Sequence, residues 1–224
     1  ILRELGTHAG RLVLLDHHVS SRDRFEADPE LGEALQQVGH HIEFDLSHSG
    51  AVLAWRHFHP DQEVPELLGY VEDQDLWSWK LPRSEEVNAA IGSYPHTFRD
   101  WETLSALPLD QLVQEGEPIL RAQQREVETA LRQAHRVIVG ELHLEAVNAL
   151  QRRSVIGHEL AKRASYGHPS GVVYRLGGQR VDVSIYSIGD FDVSRIAASY
   201  GGGGHRNAAG FHVPLEEWLR RFVA

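Results

Sequence analysis

Residues 201–211 read GGGGHRNAAGF, and this stretch carries the strongest signal for fold and site. Four consecutive glycines let the backbone approach a ligand closely and turn successive N–H groups toward one anion. A histidine and an arginine add side-chain donors for phosphate oxygens. If residues 208–209 begin a helix, its N-terminus adds further donors and a favourable dipole. The alternative is a flexible glycine loop with a solvated histidine. The predicted anion-binding residues are Gly202, Gly203, Gly204, His205, Arg206 and Asn207.

A second polar motif, Asp16-His17-His18, directly follows the apolar run at residues 12–15. The run predicts a strand of a parallel sheet that is covered on both faces. Ligand sites in such sheets lie beyond the carboxyl ends of the strands. Imidazole and carboxylate groups together suit manganese, iron or zinc. Because the chain holds fifteen histidines, the triplet alone is only suggestive of a metal site.

The order of predicted elements indicates an α/β fold. Before residue 109 the patterns predict strands at 11–16 and 41–45 and helices at 30–38, 51–58 and 65–70, the second helix capped by Ser49. Residues 109–136 have helical spacing, which Gly116 and Pro118 should interrupt or kink. Later strands are predicted at 137–147, 171–175 and 180–187, the last two joined through Gly177-Gly178. The predicted domains are 1–108, a helical connector at 109–136, and 137–224.

Composition limits the classes of protein that the chain can represent. Cysteine is absent, which excludes disulfides and thiolate metal sites and fits a cytoplasmic protein. No apolar run is long enough for a membrane span, so we expect no membrane partner. The net charge of −10 argues against a protein that coats long nucleic acid by electrostatics alone. Residues 1–138 carry a net −12 and residues 139–224 a net +2. This asymmetry suits a cation site beside an anion site, or simply reflects acidic solvated helices in the first part.

Asp-His-His followed far downstream by the glycine-rich stretch resembles the paired signature of the DHH phosphoesterase superfamily. The glycine-rich stretch is similar to the motif of the DHH-associated C-terminal domain. Residues 192–197 (DVSRIA), 147–148 (VN) and 154–160 (SVIGHEL) also resemble that domain. The resemblance covers nearly the whole chain. It is greatest to the short branch of nanoRNases, which are oligoribonucleases, and phosphoadenosine-phosphate phosphatases.

The resemblance implies roles for individual residues. His17 would be a metal ligand, Asp16 would orient it as an acceptor, and His18 would face the substrate phosphate. The family also places an aspartate ligand after a later helix, which here is Asp75, with Asp73 as the reserve. It implies a mainly parallel-sheet DHH domain and a smaller mixed-sheet C-terminal domain, with a substrate held in a cleft between them.

Two departures from the family pattern affect these expectations. The family's opening motif, a His and an Asp-x-Asp pair, lies upstream of Asp-His-His, and residues 1–15 contain no aspartate. We therefore expect an N-terminally truncated chain that lacks about half of its metal ligands. Many relatives also carry an arginine where this sequence has Tyr186, which puts the mode of substrate binding in doubt. The pair Arg152-Arg153 could hold a nucleotide backbone, or could be a solvated pair.

The function that the resemblance implies is metal-dependent hydrolysis of phosphoesters. Two Mn²⁺ ions are expected in the full-length enzyme, with Mg²⁺ possible. Expected substrates are short oligonucleotides, as for an exonuclease, or phosphoadenosine phosphate, and a homodimer is possible. Alternatives are an exopolyphosphatase, a cyclic-dinucleotide phosphodiesterase, or a non-catalytic nucleotide-binding regulator. The 224 residues alone are expected to be inactive and to bind Mn²⁺ weakly.

Overall fold

The computed structural model describes residues 2–223, which form a mixed α/β fold as predicted. The chain divides into two compact units, Ile1–Ala122 and Gln123–Ala224, and the division falls inside one long helix. The first unit contains α1 (Leu2–His8), β1 (Val13–Asp16), α2 (Val19–Glu26), α3 (Pro29–Gln37), β2 (His41–Phe44), α4 (Gly50–Phe58), α5 (Glu66–Asp75), α6 (Ser84–Ile91), α7 (Phe98–Ala106) and the start of α8 (Leu109–Leu131).

The second unit holds the end of α8 and the remaining elements. These are β3 (His135–Val139), β4 (Leu142–Asn148), α9 (Arg153–Arg163), β5 (Ser170–Gly177), β6 (Arg180–Ser187), α10 (Ser194–Ser199), β7 (Gly203–His205), β8 (Ala208–Pro214) and α11 (Leu215–Arg221). None of the helices described in either unit combines the length and the apolar character that crossing a bilayer would require.

In the first unit, β1 and β2 pair in parallel, with Val13 opposite His41 and Asp16 opposite Phe44. Helices α2 and α3 form the connection that parallel strands require. The prediction that β1 is buried on both faces is wrong, because all four of its residues are only half-buried. The apolar run fits a strand, but the described part of this sheet has two strands and leaves both of them at an edge.

Local capping signals fix the starts of α3 and α4 in the first unit. The Asp28 carboxylate accepts from the Leu31 N–H at 3.1 Å before α3, whose first residue is proline. Ser49 was the predicted cap of α4, and its hydroxyl accepts from the Val52 N–H at 3.3 Å. Each such cap satisfies a backbone donor that the helix leaves without a partner.

Helix α8 continues through Gly116 and Pro118, where the sequence predicted an interruption or a kink, so it is not interrupted there. Pro118 removes one backbone donor from the helix, but the helix does not end there. A Cβ on Gly116 would collide with the backbone carbonyl of Glu86 in α6. The glycine therefore permits close packing of α6 against α8, and this contact favours a continuous helix.

The second unit is built on a six-stranded mixed sheet in the order β3-β4-β5-β6-β8-β7. Only the β4–β5 pair is parallel among these strands. Side chains that alternate along the strands form two separate cores. Val172 lies in the core that contains Trp218 and Phe222, whereas its neighbour Val173 lies in the core that contains Leu160 of α9.

Two glycines turn the chain at positions that the sequence pattern misplaced. The predicted strand at 137–147 is two strands, β3 and β4, because Gly140 adopts a φ of +65° and reverses the chain. The β5–β6 hairpin turns at residues 178–179, one residue later than predicted, and Gly178 has a φ of +64° there. Both positions lie in the left-handed region, which glycine enters without steric cost.

The outer edge of β3 pairs with the C-terminal segment that follows α11. Ile138 donates its N–H to the Phe222 carbonyl at 2.8 Å, and Val137 forms an isolated antiparallel bridge with Val223. Phe222 is 1% exposed and belongs to the core around Trp218. This pairing supplies hydrogen-bond partners to an edge that would otherwise be available to another chain.

Candidate functional site

His17 and Asp75 come together at the carboxyl end of β1. His17 is the first residue after β1 that is buried, and Asp75 is the last residue of α5. His17 Nε2 lies 3.4 Å from Asp75 Oδ2, and the side chains are 10% and 46% exposed. A Cβ on Gly50, the first residue of α4, would make an ordinary contact with the His17 ring. The pair therefore lies where the end of a strand meets the start of a helix.

Asp16 is hydrogen-bonded to His18, and the expectation that Asp16 orients His17 stays a prediction. Asp16 Oδ1 accepts from His18 Nδ1 at 2.7 Å and from the His18 backbone N–H at 3.0 Å. Burial alone would raise the pKa of Asp16, but the hydrogen bonds from His18 and Ser21 outweigh it and lower the pKa below its ordinary value. The carboxylate thus stays ionised and fixes His18, whose ring lies 4.5 Å from that of His17.

Asp73, the reserve ligand, has a structural role in the loop after α5. Its two carboxylate oxygens accept from the N–H groups of Lys80 at 2.9 Å and Leu81 at 3.2 Å. Burial opposes the ionisation of Asp73, yet these bonds and one from the Ser84 hydroxyl give a net lowering of its pKa. Of the two candidates, the structure places Asp75 beside His17.

Glu72, which the sequence reasoning missed, joins α5 to the start of α4. Its carboxylate accepts from the Ser49 N–H at 2.7 Å and lies 3.3 Å from His48 Nδ1. Both Glu72 and His48 are about one-fifth exposed at their side chains. The contact holds the start of α4 against α5, the helix that carries Asp75. A usable signal was the His48-Ser49 pair directly before α4, because an unpaired N–H at a helix start attracts a carboxylate.

The His17–Asp75 pair fits a divalent ion as a partial site. Two donors 3.4 Å apart have the separation of two tetrahedral ligands that each lie about 2.1 Å from one ion. An imidazole and a carboxylate are ligands that manganese, iron and zinc accept. Among residues 2–223, however, histidine, aspartate and glutamate side chains form no group of three that could hold an ion. The site found among the described residues thus has two candidate metal ligands, His17 Nε2 and Asp75 Oδ2.

The glycine-rich stretch is a β-hairpin, and residues 208–209 lie in a strand, so the helix considered as one alternative for them does not form. Gly203–His205 forms β7, residues 206–207 make the turn, and Ala208–Pro214 forms β8. A Cβ on Gly202 would collide with the Gly210 carbonyl, and Gly204 has a φ of +146°. These glycines therefore serve close pairing of two strands, which does not require a ligand.

The polar residues of the hairpin hold its turn. Arg206 lies 3.2 Å from the Asp190 carboxylate at the surface and donates to the Asp190 carbonyl at 3.1 Å. The Asn207 amide donates to the Ser187 hydroxyl and the Gly189 carbonyl, both at 3.0 Å. His205 is half-buried at the end of β7. Since the ion pair between Arg206 and Asp190 is exposed, it contributes little stability, and an anion could displace Asp190 from the arginine.

Tyr186, at the position where the resemblance led us to expect an arginine, packs against α9. A Cβ on Gly157 would collide with its ring, and the ring lies 5.4 Å from that of His158. The tyrosine thus fills space between β6 and α9, and it lacks the guanidinium that could bind an anion at this position.

Comparison with protein families matches residues 147–224 to the DHHA1 domain. The match covers the part of the chain from late in β4 to its end, including the glycine-rich hairpin. It supports the resemblance to the DHH superfamily that the motifs indicated.

One relative is the uncharacterized protein R106 of Acanthamoeba polyphaga mimivirus, which is 28% identical over 218 residues. The alignment covers 94% of this chain and 49% of the viral protein, so the chain spans about half the length of this curated relative.

Solved structures with some similarity include a pGpG-specific phosphodiesterase, PggH, from Vibrio cholerae, at 14% identity and a TM-score of 0.42. The alignment covers 77% of this chain and 70% of PggH. An exopolyphosphatase-related protein from Bacteroides fragilis aligns at 16% identity and a TM-score of 0.31, covering 58% of this chain and 43% of that protein. At these scores the similarity carries no inference about function.

Proposed function

We propose that this chain is part of a metal-dependent phosphoesterase of the DHH superfamily that hydrolyses short oligonucleotides or phosphoadenosine phosphate. The observation that carries the proposal is the approach of His17 to Asp75 at the end of β1, in a chain whose residues 147–224 match the DHHA1 domain. The assignment to the branch of nanoRNases and phosphoadenosine-phosphate phosphatases belongs to this proposal and rests on the sequence motifs.

In this proposal His17 and Asp75 hold a divalent ion, Mn²⁺ or, less favourably, Mg²⁺. A bound divalent ion supplies polarisation of the phosphoryl group and offsets the negative charge that develops on it. Asp75 contributes one negative charge next to a largely buried imidazole. Because two ligands do not complete the coordination of one such ion, the proposal requires further ligands besides His17 and Asp75.

His18 is the proposed phosphate-binding side chain of the first unit. The Asp16 carboxylate accepts a hydrogen bond from His18 Nδ1–H, and His18 Nε2, in its protonated form, is proposed to donate to a phosphoryl oxygen of the substrate. A histidine held by a carboxylate keeps one ring orientation, so its contact with a phosphoryl oxygen costs little conformational entropy. In the second unit, taken by itself, His205 and the backbone of Gly202, Gly203 and Gly204 are proposed to bind a phosphate group.

Titration with Mn²⁺ tests the ligand assignment on residues 1–224. The chain is expected to bind Mn²⁺ weakly by isothermal titration calorimetry, and Asp75→Asn is expected to abolish that binding. Asp61→Asn removes the same charge from an exposed position and is expected to bind as the unchanged chain does. Equal binding by Asp75→Asn would refute Asp75 as a ligand, and tight binding of two ions per chain would refute the need for further ligands.

The reaction itself is tested on the whole natural protein with Mn²⁺ and four substrates. Release of phosphate or mononucleotides from a dinucleotide or from phosphoadenosine phosphate supports the proposal. Hydrolysis only of polyphosphate or of a cyclic dinucleotide would assign another substrate class. Nucleotide binding without any hydrolysis would favour a regulatory protein. Residues 1–224 alone are expected to show no appreciable activity.

A further inference from the structure

Three arginines of the second unit converge on Asp182 in β6. Arg175 Nη2 lies 2.6 Å and Arg180 Nε 2.9 Å from its carboxylate. Arg153, the first residue of α9, donates through Nη2 to the backbone carbonyl of Asp182 at 3.3 Å. We call these four residues the arginine cluster.

The arginine cluster has more positive charge and more donors than Asp182 can satisfy. The Asp182 carboxylate pairs with two guanidinium groups, the third guanidinium contacts only its backbone carbonyl, and the four residues together carry a net charge of +2. The side chains of Arg175 and Arg180 are 46% and 56% exposed, and each guanidinium carries five N–H donors. Arg153 Nε is buried and has no hydrogen-bond partner among the described residues. The cluster therefore offers a planar, multidentate surface of the kind that binds phosphate.

The arginine cluster lies on the same face of the sheet as His205. Val181, Val183 and Ile185 point into the core around Trp218, so alternation places Asp182 and Tyr186 on the opposite face. Tyr186 pairs with Ala208, and Ala208 pairs with His205, so these three also share that face.

The pairing of β6 with β8 and of β8 with β7 gives the separation between the arginine cluster and His205. Asp182 and Tyr186 are four residues apart on β6, which is about 13 Å along the strand. His205 lies two strands from β6, which adds about 10 Å across the sheet. A single phosphate cannot contact both positions. Between them β8 contributes Gly210, which has no side chain to obstruct a ligand lying along the sheet.

We infer that the arginine cluster is a second phosphate subsite, which binds a phosphate of an oligonucleotide beyond the one held near His205. The inference rests on the proposed function and narrows its substrate to oligonucleotides longer than a dinucleotide. A nucleoside bisphosphate is too short to occupy both positions. The competing account is an ion-pair network that only stabilises the β5–β6 hairpin.

Binding of labelled oligonucleotides of two to five nucleotides, measured by fluorescence anisotropy on residues 1–224, tests the inference. The pentanucleotide is expected to bind more tightly than the dinucleotide. In Arg175→Gln/Arg180→Gln, affinity for the pentanucleotide is expected to fall roughly tenfold, while dinucleotide affinity stays unchanged. The salt dependence of pentanucleotide binding is expected to fall by about 0.7 in log–log slope, the value for one contacted phosphate of a single strand.

Two further variants separate charge from folding. Arg175→Lys/Arg180→Lys retains both charges and is expected to restore most of the preference for the pentanucleotide. Arg221→Gln removes an arginine of α11, a helix that packs on the opposite face of the sheet. This variant is expected to bind the dinucleotide and the pentanucleotide with unchanged affinity. A pentanucleotide affinity that is equal in Arg175→Gln/Arg180→Gln and the unchanged chain would overturn the inference.

The outcomes also distinguish this inference from the proposed function. If the unchanged chain binds dinucleotide and pentanucleotide equally, the subsite is refuted and the proposed function stands. If it binds neither, the anion-binding part of the proposed function fails as well. Polyphosphate of equal charge serves as a competitor, since it has phosphates but no nucleosides. Displacement of the pentanucleotide by polyphosphate at equal strength would overturn the assignment to oligonucleotides.

Discussion

Ala164 ends helix α9 in a backbone conformation that glycine adopts more easily. Its φ is +46° and its ψ is 38°, and its N–H donates to the Leu160 carbonyl at 3.2 Å. The position is a helix end of the left-handed type, where glycine is the usual residue. An L-residue with a Cβ pays a steric penalty there of about 1 kcal/mol.

Ala164→Gly is expected to raise the free energy of unfolding by about 1 kcal/mol, because it removes this penalty and keeps the terminal hydrogen bond. Urea denaturation followed by circular dichroism measures the change. Ala161→Gly, in the buried interior of the same helix, is the matched control and should lower stability by about 1 kcal/mol. A destabilised Ala164→Gly protein would contradict the assigned conformation.

At the level of single residues, the sequence could predict which side chains approach the end of β1 but not how they pair. Asp16-His17-His18 after an apolar run and Asp75 after a helix were visible as candidates. The Asp16–His18 contact depends on how the backbone folds back toward Asp16 at the start of α2, and residue types alone do not determine that. The sequence indicates a helix start at Ser49 but not which carboxylate accepts its backbone N–H, and Glu72 was missed for that reason.

Helix α9 packs on the sheet through glycines that allow backbone contact. A Cβ on Gly171 in β5 would collide with Leu160 and lie 2.9 Å from the Gly157 carbonyl. Gly157 in turn accommodates the ring of Tyr186. The packing of this element therefore depends on the absence of two side chains, in addition to the apolar residues that α9 buries.

Gly171→Ala is expected to destabilise the protein by about 1–3 kcal/mol, because backbone atoms of α9 would have to move. Gly177→Ala changes a glycine of the same strand at which a Cβ meets only an ordinary contact of 3.8 Å. This control is expected to be neutral or slightly stabilising. Thermal unfolding of both variants gives the comparison, and equal melting temperatures would refute the close packing of α9.

At the level of elements, the glycine-rich stretch shows where prediction from sequence ends. Four glycines fit a phosphate loop and a strand equally well, since glycine has little intrinsic preference for either. The hairpin forms because Ala209 and Phe211 alternate into the core and β8 pairs with β6 over seven residues. That pairing is a long-range contact, which the local pattern of residues 201–211 does not contain.

For the molecule as a whole, charge separates the two units. Residues 1–122 hold 9 Lys/Arg and 22 Asp/Glu, a net of −13, whereas residues 123–224 hold 13 and 10, a net of +3. The acidic unit contains His17 and Asp75, which are proposed to bind a cation. The weakly basic unit contains the DHHA1 match and the arginine cluster. At low ionic strength the net charge opposes the approach of an oligonucleotide, so specific contacts must supply its affinity.

The pairing of Phe222 and Val223 with β3 has a consequence for enzymes that shorten the chain from its carboxyl end. A carboxypeptidase must take an extended, accessible end into its active site, and Phe222 is 1% exposed in the core. Digestion of a folded protein made of residues 1–224 is expected to stall before Phe222, as intact mass spectrometry would show. Phe222→Ala, which removes about 3–5 kcal/mol of packing, should let digestion proceed, and equal trimming of both proteins would refute the pairing. The rate of exoproteolysis past this point thus reports how often the C-terminal segment detaches from β3.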